Sequence, residues 1–301
     1  MRRLERLLGL SRRYIRAAAA SASGNYSPFE KISKPRPFQR KPVPPKRRRI
    51  DNPSTELKKV QSLIARRLLQ PLSLPSHICG GIKGKKVLDN ATLHRNSRVL
   101  LKTDIKRFFP SITNEHVYTV WSDLLNCSPK ISGLLTKLTT FERHLPQGAP
   151  NSTMLANLVL YSCDSAIRNE CSRRNIQYSS WIDDLAFSSA DPRPVISIVI
   201  RVLREHGFRI SRKKLEIVGP GARKILNGIV LGRGFGVPPD RLSRMRSAIY
   251  KLQEGHVPTA EIENYVRSLR GSIAQIKPIS GKKAECLGKD LEAACKRIGW
   301  C

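Results

Sequence analysis

Gln177-Tyr178-Ser179-Ser180-Trp181-Ile182-Asp183-Asp184-Leu185-Ala186-Phe187 decides the reading of this chain. Gln177–Ile182 and Leu185–Ser188 read as two strands of a hairpin with the acids at its tip. Aspartate is a poor strand former. A carboxylate near a core is costly unless something positive neutralises it. A divalent cation does so, and Mg²⁺ takes one or two carboxylates when it also holds substrate phosphates. For a lone Asp-Asp pair a solvated turn is the better explanation. A second stretch shifts the balance: the apolar run Val99-Leu100-Leu101 leads through Lys102-Thr103 to Asp104 and on to Ile105-Lys106-Arg107-Phe108-Phe109-Pro110. Two strands carrying acids in this way can build a two-metal centre for in-line phosphoryl transfer, with ions about 3.5–4 Å apart.

The charge supports a phosphate partner. The 301 residues carry 55 Lys and Arg against 23 Asp and Glu, a net charge of +32. Such an excess points to a polyanion, nucleic acid first, with an anionic membrane surface or a ribosomal-type scaffold as the alternatives. At 40% hydrophobic content the chain can bury a core in one or two domains. The seven cysteines have irregular spacing and no Cys-x-x-Cys pair, so neither a zinc ribbon nor a disulfide framework is indicated. No apolar run reaches the roughly 18–20 residues that span a bilayer.

Outward from the acids, the chain alternates helical and strand patterns. Residues 1–22 are rich in Arg, Ala and Ser; they fit an organellar transit peptide or, the preferred reading, a basic amphipathic helix with Leu4, Leu7, Leu8 and Leu10 on one side. Residues 31–49 form a proline-stiffened basic arm without an acid. Apolar residues recur at helical period from Glu56 to Leu69, with Ser54 as N-cap. Cys79-Gly80-Gly81-Ile82-Lys83-Gly84-Lys85-Lys86 lacks the Walker A pattern and reads as a flexible basic turn. Thr113 to Phe141 is helical, Leu145-Pro146-Gln147-Gly148-Ala149-Pro150 forces a loop, and Ser152 to Ile167 is a long helix. Val195 to His206 is another helix, Phe208-Arg209-Ile210 starts a strand, and Ile225 to Leu231 reads as one short strand with Gly228 inside. From Pro239 onward the pattern is helical and basic.

In this order the motifs resemble the reverse transcriptases of the retron and group II intron type found in bacteria, over about Tyr26 to Leu231. The resemblance implies an α+β right-hand polymerase fold: an N-terminal basic helical segment (1–30), fingers and palm with an antiparallel sheet (31–232) and a helical, RNA-binding thumb (233–301). It implies catalytic Asp104, Asp183 and Asp184, with Asp104, the Ile105 carbonyl, Asp183 and Asp184 holding two Mg²⁺ ions. Phe109 is similar to the gate that clashes with a ribose 2′-OH, and Gln147-Gly148 to the block that packs on the incoming nucleotide. Lys214 falls at the lysine that approaches the triphosphate, and Arg49 looks like the arginine that grips it. Trp181 stands where the family has tyrosine. Asn90-Ala91-Thr92-Leu93-His94 matches the Asn-Ala-x-x-His signature of the retron subgroup, so Asn90 and His94 join Arg241, Arg244, Arg246 and Lys251 as expected RNA-binding residues. Leu226-Asn227-Gly228 keeps only the glycine of the retron Val-Thr-Gly.

The same resemblance implies a bacterial cytoplasmic enzyme. Its partners would be a structured noncoding RNA serving as template and primer, an RNA–DNA hybrid, deoxynucleotides and a separately encoded effector protein, in antiphage defence and with no membrane role. Two alternatives stay open: another defence-associated reverse transcriptase that makes templated or repetitive DNA, and a non-catalytic RNA-binding scaffold. A group II intron maturase is disfavoured by the short stretch after Leu231.

Overall fold

The computed structural model describes residues 1–20, 24–32, 45 and 47–300. They fall into two compact units. The first comprises 1–20, 24–32, 47–93 and 98–219; the second comprises 94–97 and 220–300. The fold is mixed α and β. Among the described residues, no helix is long and apolar enough to cross a membrane.

The first unit opens with helices α1 (Arg2–Leu8) and α2 (Arg12–Ala20). Gly9, at φ 60°, ends α1, so the expected single helix is two short ones. Leu4, Leu8 and Ile15 are buried, whereas Leu7 points outward. Strands β1 (Tyr26–Ile32) and β2 (Arg47–Pro53) form an antiparallel ribbon in which Tyr26 faces Pro53. The ribbon takes up both ends of the expected basic arm; apart from Pro45, the rest of that arm lies outside the described residues. Gln61 fixes the ribbon to the helices: its amide donates to the Tyr26 hydroxyl at 2.7 Å and to the Leu138 carbonyl at 2.9 Å. Helix α3 (Thr55–Ile64) begins at Ser54, whose hydroxyl accepts from the Leu57 N–H at 3.3 Å, and a π turn carries it to Leu69. The sequence reading of that helix therefore holds at both ends.

After α4 (Val87–Leu93) comes β3 (Val99–Asp104), then α5 (Phe108–Ser111), α6 (Asn114–Thr119), α7 (Pro129–Thr139) and the 22-residue α8 (Ser152–Arg173). Strands β4 (Gln177–Trp181) and β5 (Asp184–Ser189) are the expected hairpin, followed by α9 (Val195–Glu205) and β6 (Glu216–Val218). The four-stranded sheet runs β4-β5-β3-β6, antiparallel throughout. Its interior strands β3 and β5 bury Leu100, Leu101, Ala186 and Phe187, which is why they read as continuous apolar runs. Fully burying a leucine or phenylalanine side chain contributes about 1.5–3 kcal/mol. Phe208-Arg209-Ile210 does not start a strand. Phe208 turns into the core, and only Ile210 pairs, through an isolated bridge to Ile105.

The second unit holds β7 (Lys224–Leu226) and β8 (Ile229–Leu231), then α10 (Pro239–Gln253), α11 (Ile262–Ile276) and α12 (Gly281–Arg297) around Leu252, Val266, Ile276 and Leu287. The single strand expected over 225–231 is a hairpin. Asn227 and Gly228 have φ of 45° and 80°, the paired left-handed conformation that Asn-Gly supplies in a two-residue turn.

Candidate active site

Backbone pairing brings the three aspartates together. Asp104 ends β3 directly opposite Asp184, the first residue of β5, and residues so placed have Cβ atoms about 4.5–5.5 Å apart. Asp183 lies in the β4–β5 turn, and its carbonyl accepts from the Ile105 N–H at 3.0 Å. The other side of β3 is held by Ser211, whose N–H donates to the Asp104 carbonyl at 2.6 Å. Like charges facing each other across a strand pair destabilise it, so the arrangement costs stability unless a cation offsets it.

The turn itself is strained. Ile182 sits at φ 62°, a left-handed conformation that costs a non-glycine residue of order 1–3 kcal/mol. Surrounding contacts hold it there. Ser180 donates its N–H to the His77 carbonyl and accepts from the Cys79 N–H, both at 2.9 Å. This lays residues 77–79 along the free edge of β4. Gly80 then passes so close that a Cβ on it would lie 2.4 Å from the Ile182 nitrogen. The Asn157 amide, from α8, donates to the Gly80 carbonyl at 2.8 Å. Beneath β4, the buried Asp164 of α8 accepts from the Tyr178 hydroxyl and, at 3.2 Å, from the Ser180 hydroxyl. The stretch expected to be a flexible basic turn is therefore, at Gly80, a tight brace for the turn that carries Asp183.

The acids open onto a cleft of about 730 Å³ in the first unit, lined also by Arg49, Phe109, Gln147, Trp181 and Lys214. Phe109 is half-buried, its ring 5.6 Å from that of Phe108. Arg49 is held by Asp51 at 2.8 Å and Glu142 at 2.6 Å. Asp51, which the sequence reading passed over, is buried at 2% exposure. It also faces His144 Nε2 at 3.2 Å and accepts from the Gln147 N–H at 3.3 Å. Its signal was one acid at the end of a run of three arginines. It links β2 to the Leu145–Pro150 loop and so positions Arg49 and Gln147 together. Gly148, at φ 135°, lets the loop approach β2: an added Cβ would lie 3.0 Å from Ile50 Cγ2 and 3.2 Å from the Asp51 carbonyl. Gly148→Ala is expected to cost about 1–3 kcal/mol of stability. Thermal unfolding checks this; an unchanged Tm would refute the packing argument.

The electrostatics of the acids follow from their crowding. Withdrawal from water, with the Asp104 and Asp184 charges behind it, pushes the Asp183 carboxyl up to about 7. Asp184 is raised for the same kind of reason, by desolvation and by Asp104, with Lys214 and Lys102 opposing. The Lys214 ammonium donates to the Asp104 carboxylate. The donor set fits a hard divalent cation: oxygen ligands only, on adjacent strands, with mutual repulsion that a cation relieves. As the side chains lie, no three acidic, His or Cys groups among the described residues form a ready ligand cluster, and Lys214 occupies the counter-charge position beside Asp104.

A raised folded-state pKa on an acid gives stability that is complete below the unfolded value, 3.8, and is lost as pH rises through about 7. Buried His77 and His94, each pushed down to about 4 by burial, act in the opposite sense as pH falls below the ordinary imidazole value of 6.5. Comparing Asp183→Asn with the parent isolates the aspartate. In metal-free buffer the variant's advantage in Tm is expected to grow from pH 5 to pH 8; a constant difference would show that Asp183 titrates normally.

The expected RNA-binding residues separate by environment. Asn90 and His94 are both buried at 1% exposure, so their side chains lie inside the protein. In the second unit, Arg241 donates to Gln275 at 2.9 Å and Arg244 to Asp240 at 2.7 Å, while Arg246 and Lys251 are exposed.

Residues 32–231 match the family described as reverse transcriptase (RNA-dependent DNA polymerase). The chain is 32% identical over 261 residues to the retron Ec86 reverse transcriptase of Escherichia coli, covering 85% of this chain and 79% of that protein. It is 27% identical over 221 residues to the retron Se72 reverse transcriptase of Salmonella heidelberg, strain 579083-10, covering 71% and 56%. To the retron Mx65 reverse transcriptase of Myxococcus xanthus it is 28% identical over 262 residues, covering 80% and 60%.

Proposed function

Since this chain belongs to the retron-type reverse transcriptases and is an RNA-directed DNA polymerase, we propose that it copies a structured noncoding RNA partner into DNA as part of an antiphage defence system. Asp104, Asp183 and Asp184 are its catalytic carboxylates. The observation that carries the assignment is the register that sets Asp104 opposite Asp184 with Asp183 in the adjoining turn. The right-hand fold implied by the family makes residues 31–232 fingers and palm and residues 233–301 the thumb, after an N-terminal basic helical segment over 1–30.

The reaction joins a primer 3′ hydroxyl to the α-phosphorus of a deoxynucleotide, with pyrophosphate leaving. Asp104, Asp183 and Asp184, with the Ile105 carbonyl, would hold two Mg²⁺ ions, which supply Lewis-acid stabilisation of charge on the transferring phosphoryl group. Lys214 donates to Asp104 in this structure; with a cation held by that carboxylate, its ammonium would be free to meet triphosphate oxygens. Arg49, aimed by Asp51 and Glu142, offers a planar bidentate donor to the same triphosphate. Gln147 and Gly148 form the wall against which the nucleotide packs. Trp181 lines the same cleft. Basic residues hold the hybrid by its phosphates, and A-form duplex is recognised by shape and 2′-OH.

Phe109 is assigned as the steric check on the sugar. Phe109→Ala is expected to raise ribonucleotide incorporation by one to two orders of magnitude relative to deoxynucleotide, since steric checks of this kind are worth about 1–3 kcal/mol. Paired single-nucleotide additions measure it, and unchanged discrimination would remove Phe109 from that role. The reading as a whole is tested by primer extension on an RNA template, with Asp183→Ala/Asp184→Ala alongside. Metal-dependent extension by the parent and none by the variant supports it; binding without extension in both would favour the scaffold.

A further inference from the structure

The first unit contains a second charged cleft that the active site does not use. Lys106, Arg204, Arg209, Arg212 and Lys213 surround about 610 Å³ with no acid among the lining residues. All five are exposed. Among the described residues, none of them makes an ion pair or a side-chain hydrogen bond, whereas Arg49, Lys102, Lys214 and Arg244 are each paired with an acid. Five cations left unpaired around one concavity repel one another and gain most from a chain of phosphates. The lining between them includes the half-buried apolar side chains of Ile200 and Ile210, which suit the apolar faces of a single strand better than a free anion.

This cleft adjoins the catalytic one without sharing a lining residue. Ile105 lines the catalytic cleft, Ile210 lines the basic one, and the two residues pair through a backbone bridge. Lys106, whose N–H donates to the Arg209 carbonyl at 2.8 Å, follows Ile105 directly. A strand lying in the basic cleft is therefore one residue of wall away from the catalytic aspartates.

We propose that this cleft is a phosphodiester-binding track that holds a single strand of the partner nucleic acid outside the catalytic cleft. The strand is either the body of the RNA partner or the growing DNA. The identity of that strand rests on the polymerase reading; the phosphate binding does not.

The test is the triple variant Arg204→Ala/Arg209→Ala/Arg212→Ala in the full chain. Binding is measured first, with a single-stranded RNA and a single-stranded DNA of the same sequence across a salt series. Losing three phosphate contacts lowers the slope of log K against log salt by about 2, at roughly 0.7 per contact for single strands. An unchanged slope on both overturns the proposal, and this arm reads out even if the chain polymerises nothing. A drop on RNA alone assigns the track to the RNA body, and a drop on both extends it to the product strand. Extension of a short primer–template confined to the catalytic cleft is the second arm. It is expected to stay within two-fold of the parent. A raised KM for deoxynucleotides there would make the cleft a triphosphate entry funnel and would also overturn the proposal.

Discussion

Asp183→Asn is expected to reduce nucleotide addition by about a thousand-fold or more while leaving the protein folded, and more stable at pH 8 when metal-free. The reduction follows from what the carboxylate supplies. A cation acting on a phosphoryl group is worth several kcal/mol of transition-state stabilisation, and each 1.36 kcal/mol is a factor of ten in rate. Asparagine keeps the shape and one oxygen but loses the charge that draws the cation. The gain in stability has a separate origin. Asp183 is pushed up to about 7 because its ionised form is poorly solvated and faces Asp104 and Asp184. Removing the ionisation removes that penalty. Opposite signs for activity and stability separate a catalytic residue from a structural one. A variant that keeps a tenth of the parent rate, or that loses both together, would contradict the assignment.

Gly80→Ala is the second large effect, and it falls on a residue that touches no substrate in the proposed reaction. An added Cβ would sit 2.4 Å from the Ile182 nitrogen and 2.7 Å from the Trp181 carbonyl carbon. Both are backbone atoms of the turn that carries Asp183, and backbone cannot rotate away as a side-chain tip can. The brace also includes the Asn157 bond to the Gly80 carbonyl and the pairing of residues 77–79 with Ser180. The turn must shift, taking Asp183 with it. A displacement of about 1 Å at reacting groups costs on the order of a hundred-fold in rate, with overpacking adding about 1–3 kcal/mol of destabilisation. Lys83→Ala, in the same loop and away from the turn, is the control and should retain full activity. Gly80→Ala with near-parent kcat would mean that the turn is not braced from this side.

The parts of the fold set by local pattern were legible in the sequence. Helical period placed α3 and α9 to within a few residues, and the apolar runs before Asp104 and around Asp183 placed the two strands that build the site. Long-range contacts were not legible. Gly80 and Asp183 lie about a hundred residues apart, and nothing in a glycine- and lysine-rich stretch announces which backbone it will touch. Asp51 was hidden for the same reason: its partners His144 and Gln147 lie in a distant loop, and a lone acid after three arginines looks like local charge balance. The Asn227-Gly228 turn was a different failure, because the dipeptide is itself a hairpin signal and the apolar residues on both sides drew the reading toward one continuous strand. Asn90 and His94 show the limit of a signature. It marks a position in the chain, while the burial of Asn90 and His94 depends on the packing around them.

The claim that this polymerase copies an RNA partner is tested most directly by expressing the chain with its native flanking DNA and sequencing the nucleic acid that copurifies, beside the Asp183→Ala/Asp184→Ala form. The expected result is one discrete DNA complementary to one copurifying RNA, present with the parent and absent with the variant. The same RNA with no DNA in either sample, or the same DNA in both, would contradict it.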